Sequence, residues 1–149
     1  MTKLFGGSAR IVSRGEGERP LYDLLLVDDD PFFLNLFSRV GELVGLRLYK
    51  LAQTVDELQD CLTRYRFKIV FLDHQLIDGV SVSVLRKSSF ARLAKESEVI
   101  VASGYQRSIV QEIYAPFGVK LFLEKPIAPK ALQLALSQAL LASRSKVYR

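Results

Sequence analysis

From Leu21 onward, short apolar runs alternate with stretches in which apolar residues recur every three or four positions. Residues 24–27 read as a buried strand. Pro31 suits a first helical turn, with Asp30 as its cap. Phe32, Phe33, Leu36, Phe37, Val40 and Leu43 then recur at helical spacing up to Gly45. A second strand is predicted at 46–51. Thr54 caps a helix carrying Val55, Leu58, Cys61, Leu62 and Tyr65. A third strand, apolar throughout, covers 69–72, as a central parallel strand should. Val80, Val82, Val84, Leu85 and Phe90 mark a third helix, weakened by Ser81, Ser83, Ser88 and Ser89. A fourth strand at 99–102 precedes a short helix around Ile109, Val110 and Ile113 that ends before Pro116. A fifth strand at 121–123 leads into a last helix over 128–142. Five strands alternating with five helices predict an α/β fold, a doubly wound five-stranded parallel sheet with helices on both faces. Ligands then bind at the carboxyl ends of the strands.

Residues 1–20, rich in Gly, Ser and Arg, show no sustained period and read as a flexible arm. The domain proper spans 21–143, and 144–149 form a short basic tail. A length of 149 residues suits one domain, and 49% hydrophobic with 25% charged residues is ordinary globular usage, which excludes a disordered or collagenous chain. The single cysteine, Cys61, has no partner for an internal disulfide. No apolar run reaches the roughly 18 residues of a span, and no secretory-type stretch opens the chain, so a cytoplasmic protein without membrane insertion is expected. The net charge of +5 sits at the ends, with Lys130, Arg144, Lys146 and Arg149 unopposed after residue 126. Only Tyr148 interleaves with these cations, so a solvated helix end is the reading, and nucleic acid is not an expected partner.

The polar residues that follow the strands carry the chemistry. Asp28, Asp29 and Asp30 follow the first, Asp73 the third, Ser103 the fourth and Lys125 the fifth. A parallel sheet gathers these ends along one edge. Carboxylates brought together there repel, and burial would raise their pKa values. A hard divalent cation relieves the repulsion, and Mg²⁺ is commonly held by one or two carboxylates with phosphate oxygens. An ammonium and a hydroxyl alongside suit a phosphoryl group. The constellation reads as a phosphoryl-transfer site in which an aspartate can be the nucleophile.

The runs LLLVDDDP, FLDHQLIDG, VIVASGY and LFLEKP, in this order and spacing over about 22–143, resemble the receiver domain of bacterial two-component response regulators. The resemblance implies a flavodoxin-like receiver fold and assigns the residues. Asp73 is the phosphoacceptor. Asp28, Asp29, Asp73 and the backbone carbonyl of Gln75 hold Mg²⁺. Ser103, Gly104 and Lys125 bind the phosphoryl oxygens, and Pro126 follows a peptide bond that is often cis in this family. Ser103 and Phe122 occupy the switch positions. His74 and Tyr105 flank the site; Gln75 and Tyr105 stand where the family tunes hydrolysis of the acyl phosphate. Two departures fall in the loop after Asp73. Ile77 replaces a usual proline and Ser81 a usual glycine, while Asp78-Gly79 offers another turn.

The implied function is that of a single-domain response regulator rather than a turnover enzyme. It takes a phosphoryl group from a sensor histidine kinase or a histidine phosphotransfer protein. It then changes contacts with a downstream protein effector through the face formed by helix 4, strand 5 and helix 5, as a monomer or a phosphorylation-dependent dimer. Two alternatives stand beside it. One is a receiver-like interaction module that works without phosphorylation. The other is a haloacid-dehalogenase-like phosphatase, against which the lack of any Asp or Glu after Lys125 counts.

Overall fold

The structure, a computed structural model, describes residues 19–146 together with the two-residue strands Lys3–Leu4 and Arg10–Ile11. Most of the arm expected over 1–20, and residues 147–149 of the tail, lie outside the described residues.

Five parallel strands make the body of the sheet: β1 (Pro20–Val27), β2 (Tyr49–Ala52), β3 (Arg66–Asp73), β4 (Glu98–Ser103) and β5 (Leu121–Glu124). Their spatial order is β2-β1-β3-β4-β5. The order reverses beside β1, which opens a crevice at the carboxyl ends of β1 and β3. Lys3–Leu4 pairs antiparallel with β2, and Arg10–Ile11 with the start of β1, so among the described residues the sheet has seven strands.

Successive strand residues face opposite sides, and the core divides accordingly. Leu24, Leu26, Ile69, Phe71, Ile100 and Ala102 pack beneath α1 (Pro31–Leu43) and α5 (Pro129–Ser143). Leu25, Val27, Val70, Leu72, Val99 and Val101 pack beneath α2 (Val55–Arg64), α3 (Val82–Leu85) and α4 (Arg107–Tyr114). Both faces are therefore covered, and this is why the inner strands read as unbroken apolar runs.

The predicted caps form. Asp30 accepts a hydrogen bond from Phe32 N at 3.0 Å, with Pro31 at the first position of α1. The chain leaves α1 through Gly45, whose φ of +87° a side chain would resist. Thr54 Oγ1 accepts from Glu57 N at 3.1 Å, and Glu57 returns a carboxylate oxygen to Gln53 N at 2.7 Å.

Two elements differ from the expectation. The second strand starts at Tyr49 rather than residue 46, because the Asp23 carboxylate takes the N–H groups of Arg47 and Leu48, both at 3.2 Å. The third helix is reduced to the four residues of α3, with a second single turn at Leu93–Glu96. Its serines explain the loss: Ser83 Oγ donates to Val80 O at 2.7 Å and Ser81 Oγ to Asp73 O at 2.6 Å, offering the chain hydrogen bonds outside a helix. The space before α3 holds a tight hairpin, Gln75–Leu76 paired with Gly79–Val80.

Of the cations expected in a solvated tail, Lys146 is held against the body of the protein. Lys146 Nζ donates to Ala94 O at 2.7 Å and pairs with Glu98 at 2.9 Å. Among the described residues no helix is long and apolar enough to cross a membrane.

Candidate phosphoacceptor and metal site

The crevice beside β1 collects the acids. Carboxylate oxygens of Asp28, Asp29 and Asp73 lie within 4.8 Å of one another. Asp28 is completely buried and Asp73 nearly so, while Asp29 reaches solvent. Strand register explains the convergence: Val27 sits opposite Leu72, so the residues that follow each arrive side by side. Asp28 Oδ1 accepts from Asp30 N at 2.9 Å, which turns the chain into α1.

Lys125 completes the cluster from the end of β5. Its Nζ lies 3.0 Å from Asp28 Oδ2 and 3.1 Å from Asp73 Oδ2. Phe33, in the first turn of α1, places its ring centroid 5.3 Å from the same nitrogen. The Lys125–Pro126 peptide bond is cis, and Lys125 N donates to Ser103 O at 2.8 Å.

The electrostatics follow from burial and crowding. Burial, then the neighbouring Asp28 charge, pushes the Asp73 carboxyl up to about 6, although Lys125 pulls the other way. Asp28 is also raised, chiefly by burial, against the Asp30 amide and the Lys125 ammonium. Burial alone would lower Lys125, but Asp28 and Asp73 outweigh it and hold the ammonium above its usual range. Two buried acids that share one cation and still hold their protons above the usual carboxylate range, with a third carboxylate beside them, form a donor set that suits a hard divalent ion. The residues present therefore fit the implied Mg²⁺.

Ser103 ends β4 one residue beyond Ala102, the partner of Asp73. Its Oγ accepts from Tyr105 N at 3.0 Å. Gly104 follows it with open space where a side chain would stand. Tyr105 reaches over to donate its hydroxyl to Gln75 Oε1 at 2.7 Å, tying the loop after β4 to the loop after β3.

His74 and Phe122 belong to the interior. His74 Nδ1 is 2.8 Å from the Tyr114 hydroxyl on α4. Burial, then Arg86, lowers its pKa. Phe122 is buried with its ring 6.5 Å from that of Tyr114. Sequence reasoning missed Tyr114, Phe33 and the placement of Asp78. Phe33 reads only as an apolar-face residue, and Tyr114 is not singled out in the sequence at all. Asp78 read as half of a turn, yet its carboxylate reaches α2. Ser81 has ordinary helical backbone, so the glycine usual there is not needed; the left-handed position is Gly79, at φ +154°.

No protein-family model and no curated protein sequence matches the chain. Solved structures do. A CheY-like response regulator receiver domain protein from Methanospirillum hungatei JF-1 superposes with a TM-score of 0.71 at 22% identity, covering 83% of this chain and 97% of that one. The signal receiver domain of a putative Luxo repressor protein from Vibrio parahaemolyticus gives 0.69 at 20% identity, covering 85% and 93%. A response regulator protein from Burkholderia pseudomallei, crystallised with a phosphorylated aspartic acid, calcium ion and citrate, gives 0.65 at 20% identity, covering 83% and 73%. What is shared at such identities is architecture, and by that architecture the chain has the fold of response-regulator receiver domains.

Proposed function

We propose that this chain is a phosphoacceptor module of two-component signalling, with Asp73 as the residue that is phosphorylated. The observation that carries the reading is the Lys125 ammonium shared between Asp28 and Asp73 beside a third carboxylate, Asp29. The Burkholderia protein of the same fold carries a phosphorylated aspartate and a calcium ion, which supports it.

In this reading Asp28, Asp29, Asp73 and the Gln75 carbonyl hold Mg²⁺. The ion, when bound, offsets the negative charge of the carboxylates and of the incoming phosphoryl oxygens. An Asp73 oxygen attacks the phosphorus of a phosphohistidine on a kinase or phosphotransfer protein. The new O–P bond forms as the P–N bond breaks, and the leaving imidazole nitrogen keeps the electron pair and takes a proton. Lys125 moves from the free carboxylate to the phosphoryl oxygens. Ser103 donates a hydrogen bond from its hydroxyl to another of them, and the Gly104 backbone lies open beside it. Ser103 and Lys125, on neighbouring strands joined by a backbone bond, then bias the surface around α4, β5 and α5 that an effector reads. Leu134 and Leu141 on α5 and Ile109 on α4 are exposed there.

The test is direct labelling. Incubation with a small phosphodonor and Mg²⁺ should add the mass of one phosphoryl group, located by peptide mass spectrometry at Asp73. Asp73→Asn should abolish it, and undiminished labelling of that variant would overturn the assignment.

A further inference from the structure

Asp78 sits at the tip of the hairpin after β3, and its carboxylate caps a helix that starts more than twenty residues earlier. Oδ1 accepts from Val55 N at 2.7 Å and Oδ2 from Asp56 N at 3.4 Å. These are the first two amides of α2, which have no acceptor within their own helix. Thr54 and Glu57 already bond at the same end, so Asp78 is not the cap that the α2 sequence itself provides.

The path of this contact matters more than its place on a helix end. The hairpin leaves β3, whereas α2 follows β2. Those two strands flank β1, whose end carries Asp28 and Asp29. Asp78 therefore joins the elements on either side of the strand that supplies two of the three clustered acids. The base of the hairpin is closed by Ser81 N donating to His74 O at 2.8 Å and Ser81 Oγ donating to Asp73 O. Its outer strand lies against α2: a Cβ on Gly79 would stand 3.4 Å from a Val55 methyl, on a backbone with φ of +154°. The segment that contains Gln75 is thus held at its base by Ser81, at its tip by Asp78 and on one side by Tyr105.

We propose that Asp78 is a positioning residue for the metal and phosphoryl site. It fixes the Gln75 segment against α2 so that the Gln75 carbonyl meets the Asp28, Asp29 and Asp73 carboxylates without a rearrangement on binding. The inference rests on the phosphoacceptor reading, and the experiment separates the two.

Mg²⁺ binding is measured by calorimetry on the full chain, alongside amide hydrogen exchange, for the wild type, Asp78→Ala, Asp78→Asn and Thr54→Ala. Asp78→Ala should weaken Mg²⁺ binding roughly 10-fold, as loss of residues that orient metal ligands does. It should also speed exchange across 75–80. Asp78→Asn, which keeps one acceptor oxygen for Val55, should fall between Asp78→Ala and the wild type. Thr54→Ala removes the cap that α2 provides for itself, so it should loosen α2 and leave Mg²⁺ affinity unchanged. Wild-type affinity in Asp78→Ala overturns the positioning role and leaves the phosphoacceptor reading intact. Equal weakening in Thr54→Ala also overturns it, because general loosening of α2 would then suffice. A wild-type protein that binds no Mg²⁺ overturns both.

Discussion

The Lys125 ammonium lies 3.1 Å from Asp73 Oδ2, and the same nitrogen lies 3.0 Å from Asp28 Oδ2. One cation thus serves two buried carboxylates, and Lys125 acts as the counter-charge of the pocket when no metal is bound. Removing one partner from a buried ion pair costs about 3–5 kcal/mol, but Lys125 is itself a quarter exposed and water screens part of that. Lys125→Met should therefore destabilise the metal-free protein by about 1–3 kcal/mol. The Asp73 carboxyl should titrate above its wild-type value of about 6, because an attractive charge has gone. Urea unfolding and carboxyl chemical shifts measure the two effects. Added Mg²⁺ should recover most of the lost stability, since it supplies the missing positive charge.

The raised Asp73 pKa makes a signed prediction. A carboxyl whose folded value is about 6 against an ordinary 3.8 binds its proton more tightly in the folded state. The contribution of this group to stability is then fully present below about pH 4 and is lost as pH rises through 6. Asp73→Asn removes this group and leaves every other titrating residue in place, including His74, whose lowered pKa gives the opposite slope. The stability difference between wild type and Asp73→Asn should thus be small near pH 4 and grow in favour of Asn up to about pH 6. Above that it should level off at no more than on the order of 3 kcal/mol. Mg²⁺ should reverse the order by stabilising the wild type far more than the variant. A difference that stays flat between pH 4 and 7 would show that Asp73 is not the strained group.

The acids, the serine and the lysine that the structure gathers at the candidate site stand out in the sequence because each follows an apolar run, and a parallel sheet brings such ends together. LLLVDDDP and FLDHQLIDG announce both the strand and the acid that follows it. What could not be read is what lies between. Ser81 and Ser83 spend their hydroxyls on Asp73 O and Val80 O, so a segment with scattered apolar residues becomes a hairpin and two turns instead of a helix. Asp78 and α2 meet through a side-chain bond across more than twenty residues, and no periodicity encodes that. Nothing in the sequence singles out Tyr114, and His74 looks like a lone histidine, until the fold sets them 2.8 Å apart.

That buried pair leads to the third prediction. His74 Nδ1 and the Tyr114 hydroxyl are both shielded from water; the hydroxyl oxygen also accepts from the Val82 backbone, but neither His74 Nδ1 nor the hydroxyl hydrogen has much recourse to solvent if the other ring is removed. Tyr114→Phe should cost about 1–3 kcal/mol, the penalty for a buried polar atom left without its partner. His74→Phe should cost a comparable amount. The double variant should cost less than the two added together, because the second change removes the group that the first had stranded. Additive losses in urea unfolding would mean that the bond contributes nothing.

Phe33 separates the core from the site. Its ring stacks on Phe71 at 5.5 Å and meets Phe37 edge-on at 5.8 Å, while its centroid is 5.3 Å from Lys125 Nζ. Phe71 lies wholly in the core and also touches Phe37, at 5.2 Å. Phe33→Leu and Phe71→Leu should both lower stability by about 1–2 kcal/mol, through lost packing and ring contacts. Only Phe33→Leu also removes the aromatic face beneath the ammonium, an interaction of about 0.5–1 kcal/mol where solvent is near. If the ring helps to hold Lys125 for the incoming phosphoryl group, Phe33→Leu should slow phosphodonor labelling of Asp73 by roughly 2- to 5-fold. Phe71→Leu should label at the wild-type rate under conditions where both variants are fully folded. Equal rates in the two variants would confine Phe33 to packing. A slowed rate in Phe33→Leu alone would show that the core beneath α1 reaches through one aromatic ring to the cation of the site.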